Sequence, residues 1–386
     1  MIGTSFDPKS NSLNILRLVF AVVVIASHAI DLGGFGRDWI GTKTTIGTVA
    51  VYGFFAISGF LIAGSAERNG TGRYLWQRSL RIFPAFWVCL VVTAFGIGLL
   101  GWEAQLHQFH LHGTLTTYIH APNGPIGFVT HNWFLHMGQR VIISTLWNGS
   151  LWTLFYEFGC YLLLAALAVL GVLRRRALLL GLTIATWSVT AVVTSSPTLN
   201  AQFTRNHSLN APDWLVLVPL FLTGSLLYCY RHRVPDSPWL AAAGAIIFVS
   251  SLWVPIGAAA PGDTLTSTGL LAPALAYPVL WLGIHLPFHR LAATNDYSYG
   301  MYIYAYPVQV LLAIWGVTRW GYLAYATIGV LATIPLAVAS WWLIERPVLR
   351  LKKWTPLSSK NRKPPAVDDR VPVPDSAFAG ISEPVE

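Results

Sequence analysis

The chain has 386 residues, of which 54% are hydrophobic and only 11% charged, with a mean hydropathy of +0.54. A soluble domain would carry about 25% charged residues, so the composition excludes a soluble globular protein and points to a polytopic membrane protein. The net charge of +9 is read as basic cytoplasmic loops of such a protein, not as a nucleic-acid surface.

A span needs about 20 mostly apolar residues. Ten runs qualify: 13–30, 47–66, 83–101, 151–173, 177–195, 213–230, 239–257, 268–287, 297–315 and 321–344. The expected fold is an all-α polytopic membrane protein, a bundle of about ten transmembrane helices. Many of the 17 Trp and 15 Tyr lie near the ends of these runs, as an aromatic belt requires. The ninth run, "YSYGMYIYAYPVQ", is polar-aromatic and the least greasy of the ten. The first run contains an arginine and lacks a small-residue cleavage site, so no cleavable signal peptide is expected.

Basic residues set the expected direction. Arg68, Arg73, Arg78 and Arg81 fall in the second connection, Arg174 to Arg176 in the fourth, Arg231 and Arg233 in the sixth, and Arg290 in the eighth. Arg346, Arg350, Lys352 and Lys353 follow the tenth run, whereas the odd connections hold only Arg37, Lys43, Arg140, Arg205 and Arg319. Lys/Arg excess marks the cytoplasm, so both termini are expected there. Residues 1–350 read as one transmembrane domain, with 102–150 as a long outward connection. Residues 351–386 read as a cytoplasmic tail, Pro-rich, charged and disordered from 355 on.

In chain order, the residues that break the membrane rule begin with Arg17 and His28 in "RLVFAVVVIASH". Eleven residues turn a helix by about 1100°, three turns plus about 20°, so both lie on one face, about 16 Å apart along the axis. One stripe thus carries a fixed cation toward the cytoplasm and a titratable base toward the outside. The alternative is that each snorkels to its own headgroup layer. "GFFAISGFLIAGS" brings Gly53, Ser58, Gly59 and Gly64 into the second run, for close helix packing or for a polar lining. "RSLRIFPAFW" sets Arg78 and Arg81 one turn apart on one face. Two guanidiniums so placed either grip a phosphate through forked donors or serve as positive-inside anchors.

"LWTLFYEFGC" puts Glu157 about two turns into the fourth run. A carboxylate there must be neutral, wet or paired. At the depth expected, it either orients His28 as a base or bridges Arg17 or another helix. His107, His110, His112, His120, His131 and His136 crowd the outer connection, but no carboxylate or cysteine completes a zinc pattern, and no metal is expected. Cys89, Cys160 and Cys229 lie in apolar runs and read as free core thiols.

In this order, Arg17 and His28, "GFFAISGFL", "RSLRIFPAFW", "LWTLFYE", "YSYGMYIYAYP" and "ERP" at 345–347 resemble the acyltransferase-3 family of bacterial membrane-bound O-acyltransferases. The resemblance runs from about residue 10 to 350. It implies transfer of an acyl group, acetyl or succinyl, from cytoplasmic acyl-CoA to a hydroxyl of a cell-envelope glycan or glycolipid, in the bacterial inner membrane. It implies that His28 is the catalytic histidine, with Arg17 as its paired arginine. Arg78 and Arg81 correspond to the cytoplasmic pair that binds CoA, Glu157 to the acid of the fourth-span motif, and Ser58 to the serine of the small-residue motif. The family pattern often has histidine where this chain has Ala305, so no role carries over to that position. Direct transfer and an acyl-His28 intermediate both fit. The rival is a proton-coupled exporter of sugars or lipids, which also suits buried Arg, His and Glu; no inverted repeat supports it.

Overall fold

The computed structural model describes residues 1–354 except 9, 42–43, 109–112, 122, 136–140, 143–144, 206–210, 255–265 and 290–294. The tail from 355, His110, His112, His136, Lys43, Arg140 and Arg290 lie outside the described residues. In chain order the main helices are α1 (Leu13–Gly33), α2 (Ile46–Arg68), α3 (Thr71–Gln108), α4 (Trp152–Val169) and α5 (Arg176–Ser195). They continue with α6 (Ala211–Cys229), α7 (Pro238–Ser250), α8 (Pro273–His285), α9 (Ser298–Ile314) and α10 (Tyr322–Lys352). Each of the ten expected runs contains helix among its described residues; positions 255–257 of the seventh lie outside them. Among the described residues seven helices, α1–α6 and α10, are long and apolar enough to cross a membrane. The two antiparallel hairpins have strands of two residues each. The protein is an all-α polytopic membrane protein.

The least greasy run is the most buried. α9 is enclosed from Ser298 to Leu312 and packs on α1 and α10. Its tyrosines explain the composition: they are buried in protein, and two of their hydroxyls bond backbone carbonyls that hydrocarbon would leave bare. Tyr299 donates to Ile82 O at 2.8 Å and Tyr302 to Ser150 O at 2.9 Å. Ala305 packs in a small cluster with Ala21, Ile25, Met301 and Ala337, so the position that is often histidine in the family is here an apolar contact.

The glycines of α2 mostly serve close packing. A Cβ on Gly59 would lie 2.1 Å from Phe221 O, and one on Gly224 of α6 would lie 2.3 Å from Ala56 O. Ser225 Oγ then donates to Gly59 O at 3.0 Å. Backbones this close gain dispersion contacts that larger side chains would prevent. α2 runs antiparallel to α1: Gly47 N–H donates to Ser27 Oγ at 3.1 Å, and Gly53 faces the Phe20 ring. By that register Ser58 stands near the level of Arg17.

α4 starts inside the protein. The segment before it is buried at Trp147, Asn148, Ser150 and Leu151, and Gly149 abuts the Tyr306 ring where any Cβ would clash. All three cysteines are free and buried.

Candidate active site

Charge gathers at the Arg17 end of α1. Arg17 Nη1 lies 3.0 Å from Asp296 Oδ2, and Arg81 Nη2 of α3 lies 2.5 Å from the same oxygen. Arg81 Nη1 is 2.8 Å from Glu345 Oε2, and its guanidinium stands over the Tyr299 ring. Asp296 Oδ1 also accepts from Ser298 N at 3.2 Å and Ser298 Oγ at 2.5 Å, at the first residue of α9. Burial alone would raise the Asp296 pKa, but Arg17, Arg81 and the Ser298 bonds outweigh it and hold the carboxyl down at about 2. Glu345 ends a π-helical stretch, Trp341–Glu345, and accepts from Ser340 Oγ at 3.1 Å. The wider π turn aims this nearly buried carboxylate inward.

Beside these pairs lies a passage. One space of about 440 Å³ is lined by Arg17, Arg78, Arg81, Ser58, Glu157 and Tyr161, among others. A second, about 430 Å³, shares Arg17, Ser58, Glu157 and Tyr299 with it and extends to Val51, Phe54, Thr153 and Tyr302. The sequence-predicted residues Arg17, Ser58, Arg78, Arg81 and Glu157 therefore come together.

His28 stands apart from them. It lines neither space. Its ring meets the Tyr306 ring edge-on, with centroids 5.3 Å apart. Tyr306 is one turn along α9 from Tyr302, which lines the passage. Val51, the lining residue deepest toward that end, sits about one and a half turns below His28 by the α1–α2 register. The turn that carries His28 is tied from outside: Gln309 Nε2 donates to Ile25 O at 2.8 Å and Tyr322 OH to Ala26 O at 3.3 Å. Ser27 donates a short hydrogen bond to buried Asp38, next to the α2 N-terminus.

One expected adjacency is corrected. Glu157 is not at the depth of His28: it accepts from Ser58 Oγ at 3.2 Å and, in a shorter bond, from Tyr161 OH. Ser58 fixes its level near Arg17, about three turns from the histidine. The cause is the buried start of α4, which carries Glu157 deeper than a helix entering at the membrane surface would.

Several site residues were missed by sequence reasoning. Asp296 had one signal, a carboxylate two residues before a helix-starting serine. Glu345 lay within the quoted "ERP" but had no assigned partner. Tyr161 was not singled out, and Tyr306 lay within the quoted "YSYGMYIYAYP" with no assigned role. The described outer histidines do not converge: His107 is exposed and His120 bonds Thr116 O. Among the described residues no three His, Cys, Asp or Glu side chains gather closely enough to hold a metal.

Arginines, carboxylates and tyrosines from several helices thus line two adjoining spaces within a helical membrane bundle. Residues 10–342 match the family described as acyltransferase domain, so the protein is a multi-pass membrane acyltransferase, with an acyl donor and an acceptor as its substrates. The chain belongs to the acyltransferase-3 family. It is similar to an O-acetyl transferase of Shigella phage Sf6, 28% identical over 348 residues, covering 88% of this chain and 96% of that protein. It is also similar to nodulation protein 10 of Rhizobium leguminosarum bv. viciae, 30% identical over 368 residues, covering 89% and 94%. A shorter match, 28% over 138 residues, links it to acyltransferase MdmB of Streptomyces mycarofaciens, covering 32% of this chain and 35% of that one. No solved structure matches the chain.

Proposed function

We propose that the protein moves an acyl group from cytoplasmic acyl-CoA to a hydroxyl of a cell-envelope glycan or glycolipid at the outer face of a bacterial inner membrane. Both termini are cytoplasmic in this reading, residues 1–350 are the catalytic domain, and 351–386 form a tail. The observation that supports it is the gathering of Arg17, Ser58, Arg78, Arg81 and Glu157 around two adjoining spaces, whose nearer end stops about one and a half turns short of His28. A nucleotide-bearing donor meets cations at the mouth, and a thin pantetheine arm occupies the passage. Ser58 and Glu157 line its middle, where the carboxylate faces the amide N–H groups of such an arm. The O-acetyl transferase name of the phage relative supports an acetyl donor; succinyl is the second choice.

In the transfer step His28, as neutral imidazole, takes the acceptor hydroxyl proton while the hydroxyl oxygen attacks the thioester carbonyl carbon. The C–O bond forms, the C–S bond breaks, and CoA leaves as thiolate. The imidazolium returns its proton to the sulfur, giving an ester and free CoA. An acyl-His28 intermediate fits the same residues. The Tyr306 edge fixes the ring plane, the role first expected of Glu157.

The test is turnover of the purified protein in nanodiscs with labelled acetyl-, succinyl- and longer acyl-CoA, plus membrane glycolipid. Label on the glycolipid with equimolar free CoA is the expected result. No CoA binding and no thiol release with any donor would sink the reading and favour an exporter.

A further inference from the structure

A third space, about 610 Å³, lies apart from the passage. It is a groove between α5 and the end of α6, lined by Leu180, Leu226, Leu227 and Tyr230, with Arg233 to Pro235 at the helix end. Helix geometry explains which face of α6 is offered. Gly224 and Ser225 meet the α2 backbone at Ala56 O and Gly59 O, and the Tyr228 ring meets Gly64. Leu226, Leu227 and Tyr230 fall on the opposite side of the helix. On α5, Leu178, Leu180 and Ile184 are exposed. In a helix long and apolar enough to cross a membrane, such a surface meets acyl chains.

The groove ends in charge. Arg233 lines it directly. Arg176, the first residue of α5, precedes Leu180 by one turn on the same face. Among the described residues no carboxylate lies within ion-pair distance of Arg176 or Arg233. The nearest acid in sequence, Asp236, is engaged by Ser5, Trp281 and His285. Arg231 differs: its Nη1 donates to Tyr228 O at 2.8 Å and its guanidinium stands over the Tyr228 ring. The loop that presents Arg233 is tied from three sides. Tyr230 O accepts from Arg233 N at 2.7 Å and from Val234 N at 3.0 Å. The N-terminal turn Ile2–Ser5 lies across it, with Ile2 N donating to Val234 O at 3.0 Å and Gly3 N to Arg231 O at 2.7 Å. Tyr277 OH of α8 donates to Pro235 O at 2.7 Å. The backbone under this guanidinium is therefore preorganised.

We infer that this groove is a binding site for an anionic phospholipid, with its phosphate on Arg233, Arg176 beside it, and one acyl chain between Leu180 and the Leu226–Leu227 face. The apolar walls do not choose the occupant, because lipid tails are as apolar as leucine and gain little by leaving the bilayer. The headgroup chooses: each basic residue at a membrane surface favours an anionic lipid by about fivefold. A protein partner would have to bring a carboxylate to Arg233 as well as an apolar face, whereas a phospholipid carries both parts in one molecule. Arg68, at the end of α2 beyond Ser58, bonds Tyr228 OH at 3.0 Å. The groove thus lies at the membrane face nearest Arg17, the face read as cytoplasmic. The site goes beyond acyl transfer and does not depend on it.

The test is native mass spectrometry of the full-length protein in detergent, titrated separately with phosphatidylglycerol and phosphatidylcholine of equal chain length. The wild type should bind phosphatidylglycerol about tenfold or more tightly than phosphatidylcholine. Arg233→Gln should lower that preference about fivefold, and Arg233→Lys should keep most of it. Leu180→Trp, at an exposed position, fills the groove and should weaken both lipids. Each variant's melting temperature without added lipid is measured alongside, so that unfolding is not mistaken for lost binding. Equal binding of the two lipids by the wild type, or a preference that survives Arg233→Gln, would overturn the site. Loss of a dimer, with bound lipid unchanged, in Leu180→Trp would assign the groove to a second copy and overturn it equally.

Discussion

The two ends of α1 treat their ionisable residue differently. Arg17 is tied to Asp296, which in turn holds Arg81, itself tied to Glu345. Four elements are joined there by charge: α1, α3, the start of α9 and the last turns of α10. His28, eleven residues on, has an aromatic edge for a neighbour, while the backbone around it is held by Gln309 and Tyr322. One end is a closed electrostatic joint. The other is a ring fixed in plane with its nitrogens uncommitted to any carboxylate among the described residues. A group meant to exchange protons needs that freedom; a group meant to hold helices together does not.

Breaking the joint should have the largest effect on folding. Arg81→Ala leaves Glu345 with only Ser340 and removes half the support of Asp296, and loss of one partner from a buried ion pair costs about 3–5 kcal/mol. Thermal unfolding in detergent would read this as a large drop in melting temperature. An unchanged melting temperature would mean that the joint is not structural.

A control away from both ends is Gly59→Ala in the α2–α6 crossing. Its new Cβ would fall against the Phe221 carbonyl, and overpacking costs about 1–3 kcal/mol. The same melting assay should show a smaller drop than Arg81→Ala. If the order reversed, packing of small residues, not charge, would be the main support.

At the other end, Tyr306→Phe keeps the ring edge beside His28 and Tyr306→Leu removes it. An aromatic pair contributes about 0.5–1.5 kcal/mol, so Leu should lower kcat by about tenfold or less, with KM for the donor unchanged and Phe close to wild type. Equal losses in both variants would assign the work to the hydroxyl instead of the ring edge.

The smallest expected change is none. The Asp296 pKa is depressed to about 2, below its unfolded value of about 3.9. Its stabilising contribution is therefore fully present above the unfolded value and is lost only as pH falls through about 2. The gap in melting temperature between wild type and Asp296→Asn should stay flat from about pH 5 to 8. A gap that closes on acidification within that range would show that Asp296 is not held as an anion.

Much of this was legible in the sequence, and the failures have physical reasons. All ten apolar runs contain helix among their described residues, seven of them long and apolar enough to cross a membrane, because hydropathy reports what lipid selects. The ninth was weak by that measure because α9 is solvated by protein, and its tyrosines bond Ile82 O and Ser150 O. The gathering of Arg17, Ser58, Arg78, Arg81 and Glu157 in one passage was anticipated only in pieces, since periodicity gives the face of one helix and says nothing of which face another helix brings. The depth of Glu157 was misjudged because the buried segment 147–151 has no hydropathy signature that separates it from a helix start at the surface. Asp296 and Glu345 were overlooked because each lies at a run boundary, where charge is ordinary and draws no attention.

The central claim is that the uncommitted imidazole of His28 performs the transfer at the end of a donor passage it does not itself line. The direct measurement compares wild type with His28→Ala for CoA release from labelled acetyl-CoA, alongside CoA affinity in the same nanodisc preparation. The account predicts that CoA binds both proteins alike while release falls by at least about a hundredfold, the contribution of a general base. Full release from a folded, CoA-binding His28→Ala protein would contradict it.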